Sequence, residues 1–171
     1  MIRKYYEFNK TVSKAVCVLK GYKLHGVINF DQLQNGIVII SGVVLGLPEG
    51  NHGLHVHEFG DETNGFLSMG NHYNPENKKH GSPFNNERHI GDLGNIYSNK
   101  YGISYIYILD GKISLVGDYS IIGRSLVISE KNDDLGKGYN FKSFIDGNSG
   151  NGVAYGIIGI RIIIFLKIYK L

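Results

Sequence analysis

His55 and His57 stand one residue apart in GLHVHEFG, an apolar run bounded by glycines. Side chains two positions apart on a strand share a face, so an extended run would offer both imidazoles to one point, which is half of a metal site. The segment from 60 to 93 carries a second set: His72, His80, His89 and Asp92, separated by seven, eight and two residues. Three imidazoles and one carboxylate are a natural tetrahedral set for Zn²⁺, which takes nitrogen and oxygen donors at about 2.0 to 2.2 Å. A loop rather than a rigid sheet carries these four groups, so binding metal would also fold the loop. The spacing is not a general zinc signature, and a chance gathering of surface histidines is the competing reading. His25 and His52 have no partner at a suggestive spacing and read as exposed or internally satisfied residues.

Short strands must position these groups. With 171 residues the chain suits one domain with a proper core. Its 24 Gly, 12 Tyr, 3 Pro and no Trp point to many tight turns between short strands. The strand candidates are KAVCVLK, HGVINFDQ, GIVIISGVV, GLHVHEF, two within GNIYSNKYGISYIYIL, KISLVG, RSLVIS and GVAYGIIGI. Each is rich in β-branched or aromatic residues and closed by Gly, Asn or Asp, as in a Greek-key sandwich or barrel. Two segments break the spacing, 60 to 93 and 130 to 151, and loops of that length are usually functional. The first holds three of the seven histidines; the second is either a lid or a surface excursion.

A net charge of +3 with scattered Lys and Arg calls for neither nucleic acid nor an anionic membrane. One cysteine, Cys17, excludes an internal disulfide and fits a reducing compartment. MIRKYYEFNKTVSK lacks the apolar centre of a secretory signal, so a cytoplasmic location is expected. The apolar IIGIRIIIFLKIYKL is interrupted by Arg161 and Lys167 and reads as a last core strand running into a tail, not a membrane span.

KAVCVLKG, GLHVHEFGD, NHYNP, KHGSP, ERHIGDLGNI, IIGRSLVISEKNDDLGKG and GIIGI, in this order from Ser13 to Ile160, resemble the copper/zinc superoxide dismutases. The resemblance implies an eight-stranded Greek-key β-barrel, an immunoglobulin-like sandwich architecture, whose two long loops hold the metals outside the barrel. Residues 1–12 would be an N-terminal extension, 13–160 the dismutase-like domain and 161–171 an apolar C-terminal tail. Carried over by position, His72, His80, His89 and Asp92 take the zinc sites. His55, His57 and His72 take three of the four copper sites, with His72 as the bridge. Asp133 takes the carboxylate that ties a copper histidine to a zinc histidine, here His55 and His80.

The fourth copper position is Ser129, and a neutral hydroxyl is a poor ligand for either copper oxidation state. The arginine that docks superoxide falls at Gly152. A guiding lysine falls at Ile145, two acids at Phe141 and Lys142, and a channel threonine at Asp146. Phe66 and Tyr155 occupy the family's disulfide positions, where an aromatic pair could recover part of the lost stability. The expectation is a dismutase-like protein with Zn²⁺ bound and Cu²⁺/Cu⁺ held weakly, catalytically deficient and acting through retained metal or protein binding. The alternative is an active dismutase converting superoxide to oxygen and hydrogen peroxide, an antioxidant role; a lesser one is a copper binder without turnover. The pseudoenzyme reading resembles viral homologues, located in host cytoplasm or virion. It implies a homodimer, or a heterodimer with a related dismutase or a copper chaperone.

Overall fold

The computed structural model describes residues 12–161. The proposed extension and tail therefore lie outside the described residues, apart from Val12 and Arg161. Eight antiparallel strands form a single sheet: β1 (Lys14–Gly21), β2 (Leu24–Gln32), β3 (Val38–Leu45), β4 (Gly50–His57), β5 (Asp92–Ser98), β6 (Ile103–Asp110), β7 (Ser125–Ser129) and β8 (Gly152–Ile160). Their order, β5-β4-β7-β8-β1-β2-β3-β6, is an all-β, nearly closed Greek-key barrel. Only a 3₁₀ turn (Gly65–Met69) and one helical turn, α1 (Ser143–Asp146), interrupt it.

Period-two alternation drives the closure. β1 turns Ala15, Cys17 and Leu19 inward, β2 contributes Leu24, Ile28 and Phe30, and β4 contributes Leu54 and Val56. Burial pushes the Cys17 thiol up to about 12, so it acts as a small apolar group. No ladder joins β5 to β6 among the described residues. Buried Arg88 spans that seam, donating to the Asp92 carbonyl at the start of β5 and to the Asp110 carboxylate at the end of β6.

One expected strand does not form. KISLVG buries Ile113 and Leu115 in alternation as a strand would, but only Ser114 makes an isolated bridge, to Ser120. The Asp110 carboxylate accepts from the amides of Lys112 and Ile113, and Gln32 Oε1 accepts from Leu115. Side chains satisfy this backbone, so the segment plugs the barrel end without a partner strand. GNIYSNKYGISYIYIL does yield two strands, β5 and β6.

Candidate metal centre

The end of β4 explains why two histidines can leave the core. Leu54 and Val56 point into the barrel, so His55 and His57 point out, beneath the two long loops, and both are buried there. The first loop is stitched to β4: Tyr73 donates to the Val56 carbonyl, Val56 to Gly91 and Gly91 to Tyr73. This brings His72 into bridge register with His57. The second loop is not a loose excursion. Asn95 on β5 clasps the backbone of Asp133 from both sides, and His80 N–H donates to the Phe144 carbonyl, joining the loops.

The expected zinc residues converge on one oxygen. Nδ1 of His72, His80 and His89 lies 3.0, 2.9 and 3.2 Å from Asp92 Oδ1. A tetrahedron with donors about 2.0 Å from its centre has edges of about 3.3 Å, so these separations fit four ligands around one ion. The Nδ1 atoms of His80 and His89 are buried without any hydrogen-bond partner despite lying this close to Asp92. They are aimed at a shared point instead of at the carboxylate. Asp92 Oδ2 is turned away, accepting from the amides of Gly81 and His89 at 3.1 and 2.8 Å.

Next to this set, donor atoms of His55, His72, His80 and Asp92 all lie within 4.8 Å of one another. The His55 ring stacks on His72 with centroids 3.8 Å apart. His55 Nε2 donates to Asp133 Oδ2 at 2.9 Å and His80 Nε2 to Asp133 Oδ1 at 2.7 Å. That leaves His55 Nδ1 buried and unpartnered. His57 Nδ1 donates to the Gly70 carbonyl at 2.9 Å, freeing Nε2. A Cβ on Gly147, which has φ 65, would lie 1.8 Å from Asp133 Oδ1, so glycine lets the loop close over the carboxylate.

Burial opposes charge throughout, and the carboxylates decide where it is overcome. His57 is pushed down to about 3 by burial and then by His72, and His72 to about 4 by burial and His55. For His80, burial is outweighed by Asp133 and Asp92, and its imidazole rises to about 10. Asp133 falls to about 2 because His55 and His80 outweigh its burial. Without a metal, the His80 imidazolium is the cation between the two carboxylates. An ion coordinated at its Nδ1 must displace that proton.

Ser129 ends β7, buried, directly opposite Gly152 on β8. A Cβ at residue 152 would lie 2.5 Å from Phe66 Cδ2, 2.8 Å from its Cγ and 2.8 Å from Val127 Cγ1. The Phe66 ring meets His57 edge-on, with centroids 5.7 Å apart. Phe66 thus fills the space a longer side chain at 152 would take. Phe66 and Tyr155 form no stacked pair; Tyr155 instead sets its hydroxyl against Gly65, within 2.9 Å of where a Cβ there would sit. Of the other departures, Phe141 and Ile145 are exposed and Lys142 pairs with Asp146 at 3.7 Å.

His25 is exposed. His52, unassigned from sequence, is a buried strut whose ring bridges the carbonyls of Ser129 and Pro48 at 3.0 Å each. Arg88 was also missed, since nothing local marks a cation as bound for a barrel seam.

An antiparallel Greek-key barrel that carries a histidine and carboxylate cluster under two outer loops defines a β-barrel metalloprotein. Residues 24–158 match the family described as Copper/zinc superoxide dismutase (SODC), and the chain belongs to that family. It is 56% identical over 147 residues to Superoxide dismutase [Cu-Zn] 5 of Dictyostelium discoideum, covering 85% of this chain and 97% of that protein. Superoxide dismutase [Cu-Zn] A of Xenopus laevis is 51% identical over 147 residues, with 85% and 97% covered. Among solved structures, that of the clock protein EA4 is similar with a TM-score of 0.88 and 46% identity, over 92% of this chain and 100% of that one.

Proposed function

We propose that this chain is a zinc-holding family member with an incomplete copper position and deficient dismutation, acting through its retained metal or protein binding. The observation that carries this is that Ser129 lies opposite Gly152 across β7 and β8, where Phe66 occupies the space against Gly152 and meets His57 edge-on. In this reading zinc is held by Nδ1 of His72, His80 and His89 and by Asp92 Oδ1. Copper would be held by His55 Nδ1, His57 Nε2 and His72 Nε2, with Ser129 at the family's fourth position. The buried, unpartnered Nδ1 atoms of His55, His80 and His89 support both assignments. Copper, when bound, would supply the one-electron reduction and reoxidation that superoxide dismutation requires.

The chain's own residues set the limits of that chemistry. Asp133 orients His55 and His80 together, and such outer partners commonly affect metal affinity 10- to 100-fold. The Ser129 hydroxyl is a poor donor for the soft reduced ion. Gly152 offers no cation to an approaching anion, and Phe66 sets an apolar ring edge-on against His57. Loss of focused positive charge removes roughly a 10- to 1000-fold gain in anion capture.

An active dismutase is the second reading, favoured by identities of 51% to 56% with relatives named as superoxide dismutases. Reconstitution with zinc and copper, followed by metal analysis and direct superoxide decay, separates the two. The expected result is one zinc, substoichiometric copper and slow decay. One of each metal with decay near the diffusion limit would overturn the first reading.

Homodimerisation, common among copper/zinc superoxide dismutases, is the expected assembly. The relatives give no support to a viral origin, and no feature of the described residues selects a heterodimer partner or copper chaperone. Among the described residues, no helix is long and apolar enough to cross a membrane.

A further inference from the structure

The tip of the second long loop, KGYNFKSFI from Lys137 to Ile145, turns its large apolar side chains to solvent. Tyr139 is 107% exposed and Phe141 79%, and Phe144 and Ile145 follow at 40% and 42%. A polar scaffold, not packing among these side chains, sets the tip. Buried Ser143 accepts from the Gly138 amide at 2.9 Å and donates to Asp134 Oδ1 at 2.7 Å. Asn140 Oδ1 accepts from the Ser143 amide at 2.9 Å, and the Phe141 carbonyl accepts from the Phe144 amide at 3.1 Å. This tight turn carries Phe141, Phe144 and Ile145 at the i, i+3 and i+4 spacing that shares one face, while Ser143 faces in. Exposed apolar surface gathered in this way marks a contact site.

The fold also brings together cations that the sequence leaves scattered. Lys79 of the first loop lies over the Phe144 ring, its Nζ 5.3 Å from the centroid, and the bond from His80 N–H to the Phe144 carbonyl keeps the two segments side by side. Lys137 and Lys142 are exposed before and after Tyr139. The acids of the turn are engaged from within the loop. Asp134 accepts from Ser143 and Asn148 at 2.7 and 2.5 Å, and Asp146 accepts from the Asn148 amide at 3.0 Å and pairs with Lys142 at 3.7 Å. An apolar tip flanked by cations is complementary to a surface that is apolar within and anionic at its boundary.

We propose that this tip docks on an anionic lipid bilayer, with Tyr139, Phe141, Phe144 and Ile145 entering the interfacial layer and Lys79, Lys137 and Lys142 reaching the headgroups. Tyrosine suits that layer because its ring is apolar while its hydroxyl stays wet. Each lysine at such a surface strengthens binding about fivefold, and Lys142, shared with Asp146, contributes less. A protein partner would need a pocket shaped to rings that project this far, whereas lipid takes them without one. A second copy would set the same lysines against one another, because an isologous contact pairs identical patches. The docking needs no copper, so it stands under either reading of the metal centre.

The test uses the full, zinc-loaded chain sedimented with phosphatidylcholine vesicles that contain or lack phosphatidylserine. Binding is expected with phosphatidylserine and at least about tenfold weaker without it. It should fall at least about tenfold in Tyr139→Ser with Phe141→Ser and about fivefold in Lys137→Gln, with zinc content and thermal unfolding unchanged. The chain has no Trp, so Tyr139→Trp gives a single signal that brominated lipid should quench. Tyr101→Trp, in the turn beyond the end of β5 that lies opposite Asp92, should stay unquenched. No sedimentation, equal binding to both vesicles, undiminished affinity in the double serine variant, or equal quenching at 101 and 139 would each overturn the proposal. So would binding to soluble polyglutamate as tight as to the vesicles, which assigns the tip to an acidic protein.

Discussion

Replacing Gly152 by alanine should destabilise the protein because of Phe66, and removing the Phe66 ring should relieve the effect. The added Cβ would stand 2.5 Å from Cδ2 of Phe66 and 2.8 Å from Val127 Cγ1, against about 3.5 to 4.0 Å for carbon atoms in contact. An overlap of about 1 Å on two sides belongs to the overpacking range of about 1 to 3 kcal/mol. At about 2 to 4 °C per kcal/mol for a chain of this size, Gly152→Ala should lower Tm by roughly 4 to 8 °C if the effect is about 2 kcal/mol. Residue 152 does not have positive φ, so backbone strain adds nothing. Phe66→Ala carries its own loss, since the ring is half-buried. The informative quantity is the coupling from a double-mutant cycle in urea on zinc-loaded protein. It should be at least about 1 kcal/mol, with the double variant more stable than the sum of the singles. Additivity within about 0.5 kcal/mol would refute the steric account, and with it the claim that Phe66 stands where a docking side chain at 152 would lie.

The same packing dictates how the copper side is rebuilt. Ser129→His with Gly152→Arg should gain little copper retention or superoxide decay until Phe66→Ala is added, and the triple variant should exceed the double at least about tenfold; equal activities would show that other lesions dominate. Asp133→Asn removes the carboxylate shared by His55 and His80 and should weaken zinc binding about 10- to 100-fold in chelator competition, an unchanged affinity counting against the tether. In metal-free protein the raised His80 contributes stability that is full below about 6.5 and lost as pH rises toward 10; His57 and His72, held at about 3 and 4, make stability fall as pH drops below about 6.5. Urea midpoints of metal-free protein should therefore decline on both sides of neutrality, and zinc, by displacing the His80 proton, should abolish the decline between pH 7 and 9; a flat metal-free profile there would contradict the ion-pair arrangement. Asp110→Asn, which breaks the buried pair with Arg88, should cost about 3 to 5 kcal/mol by urea denaturation, and a loss below about 1 kcal/mol would mean that the seam is held otherwise.

Local residue patterns carried most of the barrel. Alternation at Ala15, Cys17 and Leu19, or at Leu54 and Val56, appears in the sequence because a half-buried strand imposes a period of two. The outward aim of His55 and His57 follows from the same period. KISLVG shows where that logic stops: burial alternates, but a strand also needs a hydrogen-bonded neighbour, and Asp110 and Gln32 took that role. His72, His80, His89 and Asp92 were visible as suitable donor types. Their convergence on Asp92 Oδ1 was not, because the path of a loop depends on distant clasps such as Asn95 on Asp133.

The sequence by itself determined which groups could bind metal, and its resemblance to the dismutases implies that Ser129 and Gly152 fall at two positions used by the family's chemistry. Tertiary structure alone decided that these two are cross-strand neighbours, that Phe66 fills the space between Gly152 and His57, and that Tyr155 sets its hydroxyl against Gly65. Residue identity is local information, whereas contact between positions 66 and 152 exists only once the loop after β4 has been laid against β8. The physical reason is excluded volume: the ring and a side chain at 152 compete for one space that neither stretch of sequence describes.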